Sequence, residues 1–329
     1  MTEYSPDLLD PMRAPSRAGV LRAAAKISEI LAPTPLLPLE VDGRTIWCKA
    51  ECLQPIGAFK IRGGWHRLTD LTDQQRALGV VGVSSGNHAQ GVAWAAKRLG
   101  VSAIIVMPSD APKAKLEATR ALGTKTILYD RMTESRDAIA AAITAETGRT
   151  LVHAFGDPWV IEGQGSAGIE ADAQMRRAAG HGIDRIIACC GGGGLSAGLA
   201  LACPDAAVTL VEPEGWDDVT RSLAKGSICA VENPPPTACD ALQTLSTYPI
   251  NFAVLQARGV TGVAVSEAEL RHAQRLAFAR LRLVVEPGGA VALAAALAGK
   301  VALTDATMIT LSGGNVDAVA YARVIAGED

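Results

Sequence analysis

Charge of one sign is missing from this chain. Its 31 Lys and Arg against 34 Asp and Glu leave a net charge of −3, which gives no electrostatic footprint for nucleic acid or an anionic membrane. The seven cysteines are odd in number and lack the spacing of a metal quartet. They exclude a disulfide scaffold, and with the vicinal pair Cys189-Cys190 read as buried free thiols they fit a reducing cytoplasm. A long uninterrupted apolar run is also missing. The longest tract, Leu281 to Leu303, is broken by Arg282, Glu286, Pro287, Gly288, Gly289 and Lys300, and makes a poor membrane span. The start of the chain carries Pro6, Pro11 and Pro15 and lacks the apolar core of a signal peptide. Internal repeats, low-complexity segments, His/Cys clusters and a P-loop lysine are absent as well.

What the chain does have is core-forming material. Of its 329 residues 49% are hydrophobic, ample for two domains or one large α/β unit. Short β-type runs alternate with amphipathic helical patterns, which predicts parallel sheets flanked by helices. Val80–Val83 reads as a strand and Asn87 to Leu99 as a helix closed by Gly100. Ala103 to Met107 and Thr126 to Tyr129 are further strands, followed by helices over Pro112 to Leu122 and Thr133 to Thr147. A second series begins at Arg185–Ala188 and runs through Leu195 to Ala202, Val208–Val211 and a helix reaching Leu223. A late strand, Met308–Leu311, closes it. Two α/β lobes with a cleft between them follow, and ligands bind at the carboxyl ends of such strands.

Three segments at strand ends carry chemistry. Gly191-Gly192-Gly193-Gly194-Leu195 stands between a buried strand and a helix, where glycines let backbone N–H groups approach an anion. The same stretch satisfies a dinucleotide fingerprint, with Glu212 at the ribose-binding position, so phosphate cradle and dinucleotide loop stand level on this motif alone. Ser84-Ser85-Gly86-Asn87-His88 supplies hydroxyl, amide and imidazole groups where one helix cap would suffice. Ser312-Gly313-Gly314-Asn315 places a neutral hydroxyl at a third strand end. Lys60, in Gly57-Ala58-Phe59-Lys60-Ile61-Arg62-Gly63-Gly64, adds the amine that a pyridoxal phosphate site requires. Glu212-Pro213-Glu214-Gly215-Trp216-Asp217-Asp218 has oxygen-donor spacing suited to a hard cation, and is equally a solvated acidic loop.

In family order, Thr34-Pro35-Leu36, Glu51-Cys52-Leu53-Gln54, the Lys60 segment, Ser84–His88, Gly163-Gln164-Gly165-Ser166, the tetraglycine, Glu286-Pro287 and Ser312–Asn315 resemble the fold-type II pyridoxal phosphate enzymes. The likeness is to their serine/threonine dehydratase and serine racemase branch, and it decides against a dinucleotide. It implies a two-lobed α/β fold similar to the tryptophan synthase β chain. Residues 1–75 and 156–329 would form a large cofactor-binding domain and residues 76–155 a small substrate-loop domain. By resemblance Lys60 holds the cofactor covalently beside Phe59, and Gly191, Gly192, Gly193, Gly194 and Leu195 bind its phosphate. Asn87 meets the ring hydroxyl and Ser312 the ring nitrogen, while Ser84, Ser85, Asn87 and His88 receive the substrate carboxylate. Glu212, the Trp216 carbonyl and Asp218 look like a site for Mg²⁺ or Ca²⁺. Ala241 stands after Asp240 where family members often carry glycine.

The implied activity is β-elimination of L-threonine or L-serine to a 2-oxo acid and ammonia in the cytoplasm. The partner is a small amino acid, not nucleic acid or a membrane, and the assembly a homo-oligomer, most simply a dimer. Amino-acid racemisation, with Ser85 as the acid/base opposite Lys60, is the nearest alternative. Dehydration of 3-hydroxyaspartate or phenylserine is a further variant, and a non-enzymatic cofactor carrier is the reading from another class.

Overall fold

The computed structural model describes residues 13–84, 86–111, 113–130 and 132–328. Its ten strands are β1 (Leu36–Val41), β2 (Arg44–Lys49), β3 (Val80–Val83), β4 (Ala103–Pro108), β5 (Lys125–Tyr129), β6 (Thr150–Val152), β7 (Arg185–Cys189), β8 (Ala207–Pro213), β9 (Thr261–Val265) and β10 (Thr307–Thr310). They form two sheets, ordered β1-β2-β10-β7-β8-β9 and β5-β4-β3-β6. Only the β1–β2 pair is antiparallel among the described residues. Its hairpin turns at Asp42-Gly43, both at positive φ (50° and 73°), the geometry that a two-residue turn of this kind demands. Helices cover the parallel strands, so every residue of β4 is buried, as expected of strands that read as unbroken apolar runs.

The predicted Asn87–Leu99 helix is present with those bounds, and Gly100 closes it in the left-handed conformation. The next predicted helix spans Lys113–Ala121, with its expected start, Pro112, outside the described residues. The one expected from Thr133 begins at Arg136, because the Ser135 hydroxyl accepts the Ala138 N–H and sets the start there.

Close glycine crossings fix the helices that frame the cleft. A Cβ on Gly64 would lie 2.7 Å from the Gly91 carbonyl oxygen, and one on Gly91 would lie 2.7 Å from that of Lys60. The helix Lys60–Thr69 therefore rests backbone to backbone on Asn87–Leu99. Gly63 meets Gly163 of the 22-residue helix Pro158–Ala179 in the same way. Behind Lys60, buried Arg62 grips Glu51 through two 2.7 Å hydrogen bonds and reaches Glu170 as well. Breaking such a buried pair costs about 3–5 kcal/mol, so the turn that presents Lys60 is anchored from beneath.

Candidate active site

The carboxyl ends of β3, β6, β7 and β10 converge on a cavity of about 180 Å³ between the two sheets. Lys60 enters it as the first residue of its helix, and its Nζ donates to the Ala154 carbonyl at 2.6 Å. Burial pushes this amine down to about 8, so it exchanges protons near neutrality. Phe59 packs beside it, with the ring centroid 5.2 Å from Nζ, and its N–H donates to the Ser312 carbonyl.

Opposite stands the tetraglycine at the start of the helix Gly194–Ala202. Gly193 has φ +89°, and a Cβ on Gly192 would fall 2.3 Å from the Phe155 ring. Glycine is thus required at both positions, one for backbone conformation and one for space. Among the described residues no acceptor takes the N–H of Gly191, Gly192 or Gly193. Unengaged backbone donors at a helix N-terminus that also line the cavity fit a phosphate.

The Ser84–His88 loop lies between β3 and the Asn87–Leu99 helix. The Ser84 hydroxyl accepts the Gly86 N–H at 3.1 Å, and Ser85 lies outside the described residues. His88 is buried, and its Nε2 meets the Val152 carbonyl at 2.8 Å. A carbonyl only accepts, so Nε2 carries the proton. Burial pushes this ring down to about 3 and His153 well below its usual value, so both stay neutral at physiological pH. Asn87 donates through Nδ2 to Glu286 Oε1 at 2.6 Å and accepts from Asn315 Nδ2 at 2.8 Å. Asn315 also donates to the Ile56 carbonyl, which settles the orientation of both amides. Ser312 follows β10, and its hydroxyl oxygen accepts from the Cys189 thiol at 3.1 Å.

Two α/β lobes holding a buried amine opposite an anion cradle define the fold-type II class of cofactor enzymes. The chain belongs to the pyridoxal-phosphate dependent enzyme family, which matches residues 27–313. It is 36% identical to a serine racemase of Schizosaccharomyces pombe over 96% of this chain and 99% of that one. It is 37% identical to an L-threo-3-hydroxyaspartate ammonia-lyase of Saccharomyces cerevisiae over 97% and 98%. The solved structure of a T.th. threonine deaminase superposes with a TM-score of 0.84 at 42% identity, covering 92% of this chain and 99% of that one. Membership favours pyridoxal phosphate over a dinucleotide as the cofactor.

At the acidic stretch, Glu212 and Asp218 come together at the end of β8. Burial and the neighbouring Asp218 push Glu212 up to about 8, and burial pushes Asp218 up to about 7. The Glu212 carboxylate is spent on the helix Asp218–Lys225, accepting the N–H groups of Val219 and Thr220 and the Thr220 hydroxyl. Asp218 Oδ2 accepts the Thr247 N–H, and the Trp216 indole donates to the Pro235 carbonyl. Among the described residues no group of three or more His, Cys, Asp or Glu is placed to hold a metal. An ion here would have to draw on carbonyl oxygens such as that of Trp216.

Several cavity residues carried no individual signal in the sequence. Ala154 and Phe155 follow β6, Cys189 ends β7, and Lys115 pairs with Asp240 across the cavity. Glu286 stood out only as part of a dipeptide, yet it is buried with Oε2 unpartnered among the described residues, and burial pushes it up to about 7.

Proposed function

We propose that this enzyme eliminates water from L-threonine or L-serine, and that hydrolysis of the resulting imine releases ammonia and leaves a 2-oxo acid. The observation that carries the reading is the depressed, buried amine of Lys60 facing the glycine cradle. Lys60 would hold pyridoxal phosphate, with Gly191 to Leu195 at its phosphate, Asn87 at its ring hydroxyl and Ser312 at its ring nitrogen. When bound, the cofactor supplies an electron sink that acidifies the amino acid's Cα–H. Lys60 Nζ, freed once the substrate amine has taken its place and with its proton affinity lowered by burial, takes that proton and can pass it to the departing hydroxyl, which leaves as water. Ser84, Ser85, Asn87 and His88 would seat the substrate carboxylate at the helix N-terminus, where backbone donors favour an anion. Because His88 is neutral and fixed by Val152, it orients rather than titrates.

The division into residues 1–75 with 156–329 and residues 76–155 is part of this reading. Its support is that β3 to β6 all fall within the second span. A homodimer is supported by exposed apolar side chains such as Leu53 and Val319. A cytoplasmic setting is supported by seven unpaired cysteines, and among the described residues no helix is long and apolar enough to cross a membrane. Mg²⁺ or Ca²⁺ at Glu212, Trp216 and Asp218 is supported by two adjacent carboxylates withdrawn from water.

Racemisation by Ser85 and Lys60 acting on opposite faces of Cα, and dehydration of 3-hydroxyaspartate, are carried by the relatives of those names. Phenylserine remains a further substrate to include. The test is a screen of β-hydroxy amino acids for 2-oxo acid release, with chiral analysis of the remaining substrate. Release from L-threonine or L-serine above the others supports the proposal. Release from L-threo-3-hydroxyaspartate alone, or D-isomer without 2-oxo acid, overturns it.

A further inference from the structure

The hydroxyl of Ser312 has one proton to donate and two lone pairs with which to accept. Which way that proton turns depends on what already occupies the oxygen. The backbone is pinned on both sides, with the N–H donating to the Gly289 carbonyl and the carbonyl accepting from Phe59. The residue is 3% exposed and borders the cavity. On its inner side the Cys189 thiol donates to Oγ at 3.1 Å. Cys189 is itself fixed at the end of β7, where its N–H donates to the Thr310 hydroxyl at 3.3 Å. Burial pushes the thiol up to about 11, so it keeps its proton and remains a donor.

We propose that Cys189 is a positioning residue for Ser312. Its S–H occupies the hydroxyl oxygen from behind, so that the hydroxyl proton turns into the cavity toward an uncharged heteroaromatic nitrogen. This rests on the reading that the ring nitrogen of pyridoxal phosphate lies at Ser312. A hydroxyl free to rotate would spend part of its time presenting lone pairs to that nitrogen, which is itself an acceptor and would be repelled. The thiol removes that alternative without introducing a charge. An acid in place of Ser312 would protonate the ring and change the electron demand of the cofactor.

The test compares Cys189→Ser, Cys189→Val and Ser312→Ala in the holoenzyme. Two readouts other than turnover are used, the absorption band of the bound cofactor and its rate of release into a scavenger. Cys189→Ser restores a donor, Cys189→Val fills the volume without one, and Ser312→Ala removes the acceptor. A neutral hydrogen bond of modest strength corresponds to about a two- to fivefold change. Cys189→Val should therefore release cofactor about two- to fivefold faster with a shifted band, and Cys189→Ser should behave as the parent. In the Ser312→Ala background, Cys189→Val should add nothing. If Cys189→Val matches the parent while Ser312→Ala does not, the thiol only fills space and the inference is overturned, with the site reading intact. If Ser312→Ala also leaves band and release unchanged, the ring nitrogen is not at Ser312 and both fall.

Discussion

Asn87 and Glu286, 199 positions apart in the chain, share a 2.6 Å hydrogen bond across the cleft, with Asn87 Nδ2 donating. Since Asn315 takes the Asn87 carbonyl oxygen, what Asn87 has left for a ligand is its second N–H. Glu286→Gln keeps an acceptor for Asn87 and should retain cofactor. Glu286→Leu removes it and should loosen cofactor by about two- to tenfold, on the scale of one net hydrogen bond. A spectroscopic titration of cofactor-free protein measures both, and equal binding by the two variants would show that Asn87 needs no such partner.

The Lys60 amine gives a prediction with a sign. Burial lowers it from an ordinary 10.5 to about 8. Between those values the unfolded chain binds more protons than the folded one. Its contribution to stability is therefore complete above 10.5 and is lost as pH falls through about 8. In cofactor-free protein, reductive methylation of Lys60 should show a midpoint near pH 8 by peptide mapping. A midpoint at the ordinary lysine value would mean that the cavity does not desolvate the amine.

Gly192→Ala should cost cofactor binding more than stability, because the new methyl meets the Phe155 ring at the cavity wall. Phe155→Ala in the same chain should recover part of the loss by clearing that space. Gly64→Ala is the contrasting case. Its methyl meets backbone, which cannot swing aside, and overpacking of this kind costs about 1–3 kcal/mol. Thermal unfolding with and without cofactor separates the two effects.

How much of this was legible in the sequence depends on the range of the contact. The Asn87–Leu99 helix was readable to its ends because its closing signal, Gly100, is local. The tetraglycine stands out along the chain because glycine in series has few other uses. Pro158–Ala179 had no plain periodic stripe, since its glycines and small residues are buried against helices on several sides. The pairs Lys60–Ala154, Asn87–Glu286 and Cys189–Ser312 are made by topology, when distant strand ends meet. No spacing along the chain encodes them.

Lys115 and Asp240 form an ion pair across the cavity. The helix carrying Lys115 packs on Asn87–Leu99 and on β5, so only its side chain spans the gap. A partly exposed pair contributes about 0.2–1 kcal/mol. Lys115→Met and Asp240→Asn should therefore each speed cofactor release by at most about fivefold, with no further gain when combined. Additive effects would show that the two side chains act on the cavity separately.

Chelation separates two roles for Glu212. If it serves only the helix Asp218–Lys225, whose first N–H groups it accepts, then Glu212→Gln should lower the unfolding temperature and EDTA should do nothing. If Mg²⁺ or Ca²⁺ also binds there, EDTA should lower that temperature and added cation should restore it. Binding to the native state at a hundredfold excess over Kd is worth about 2.7 kcal/mol. Asp218→Asn is the sharper variant, because its amide oxygen can still accept from Thr247 while the charge is gone. Loss of the cation response in Asp218→Asn, with little change in the EDTA-treated baseline, is the outcome expected of a cation ligand. An EDTA response that persists in Asp218→Asn would place the ion elsewhere in the molecule.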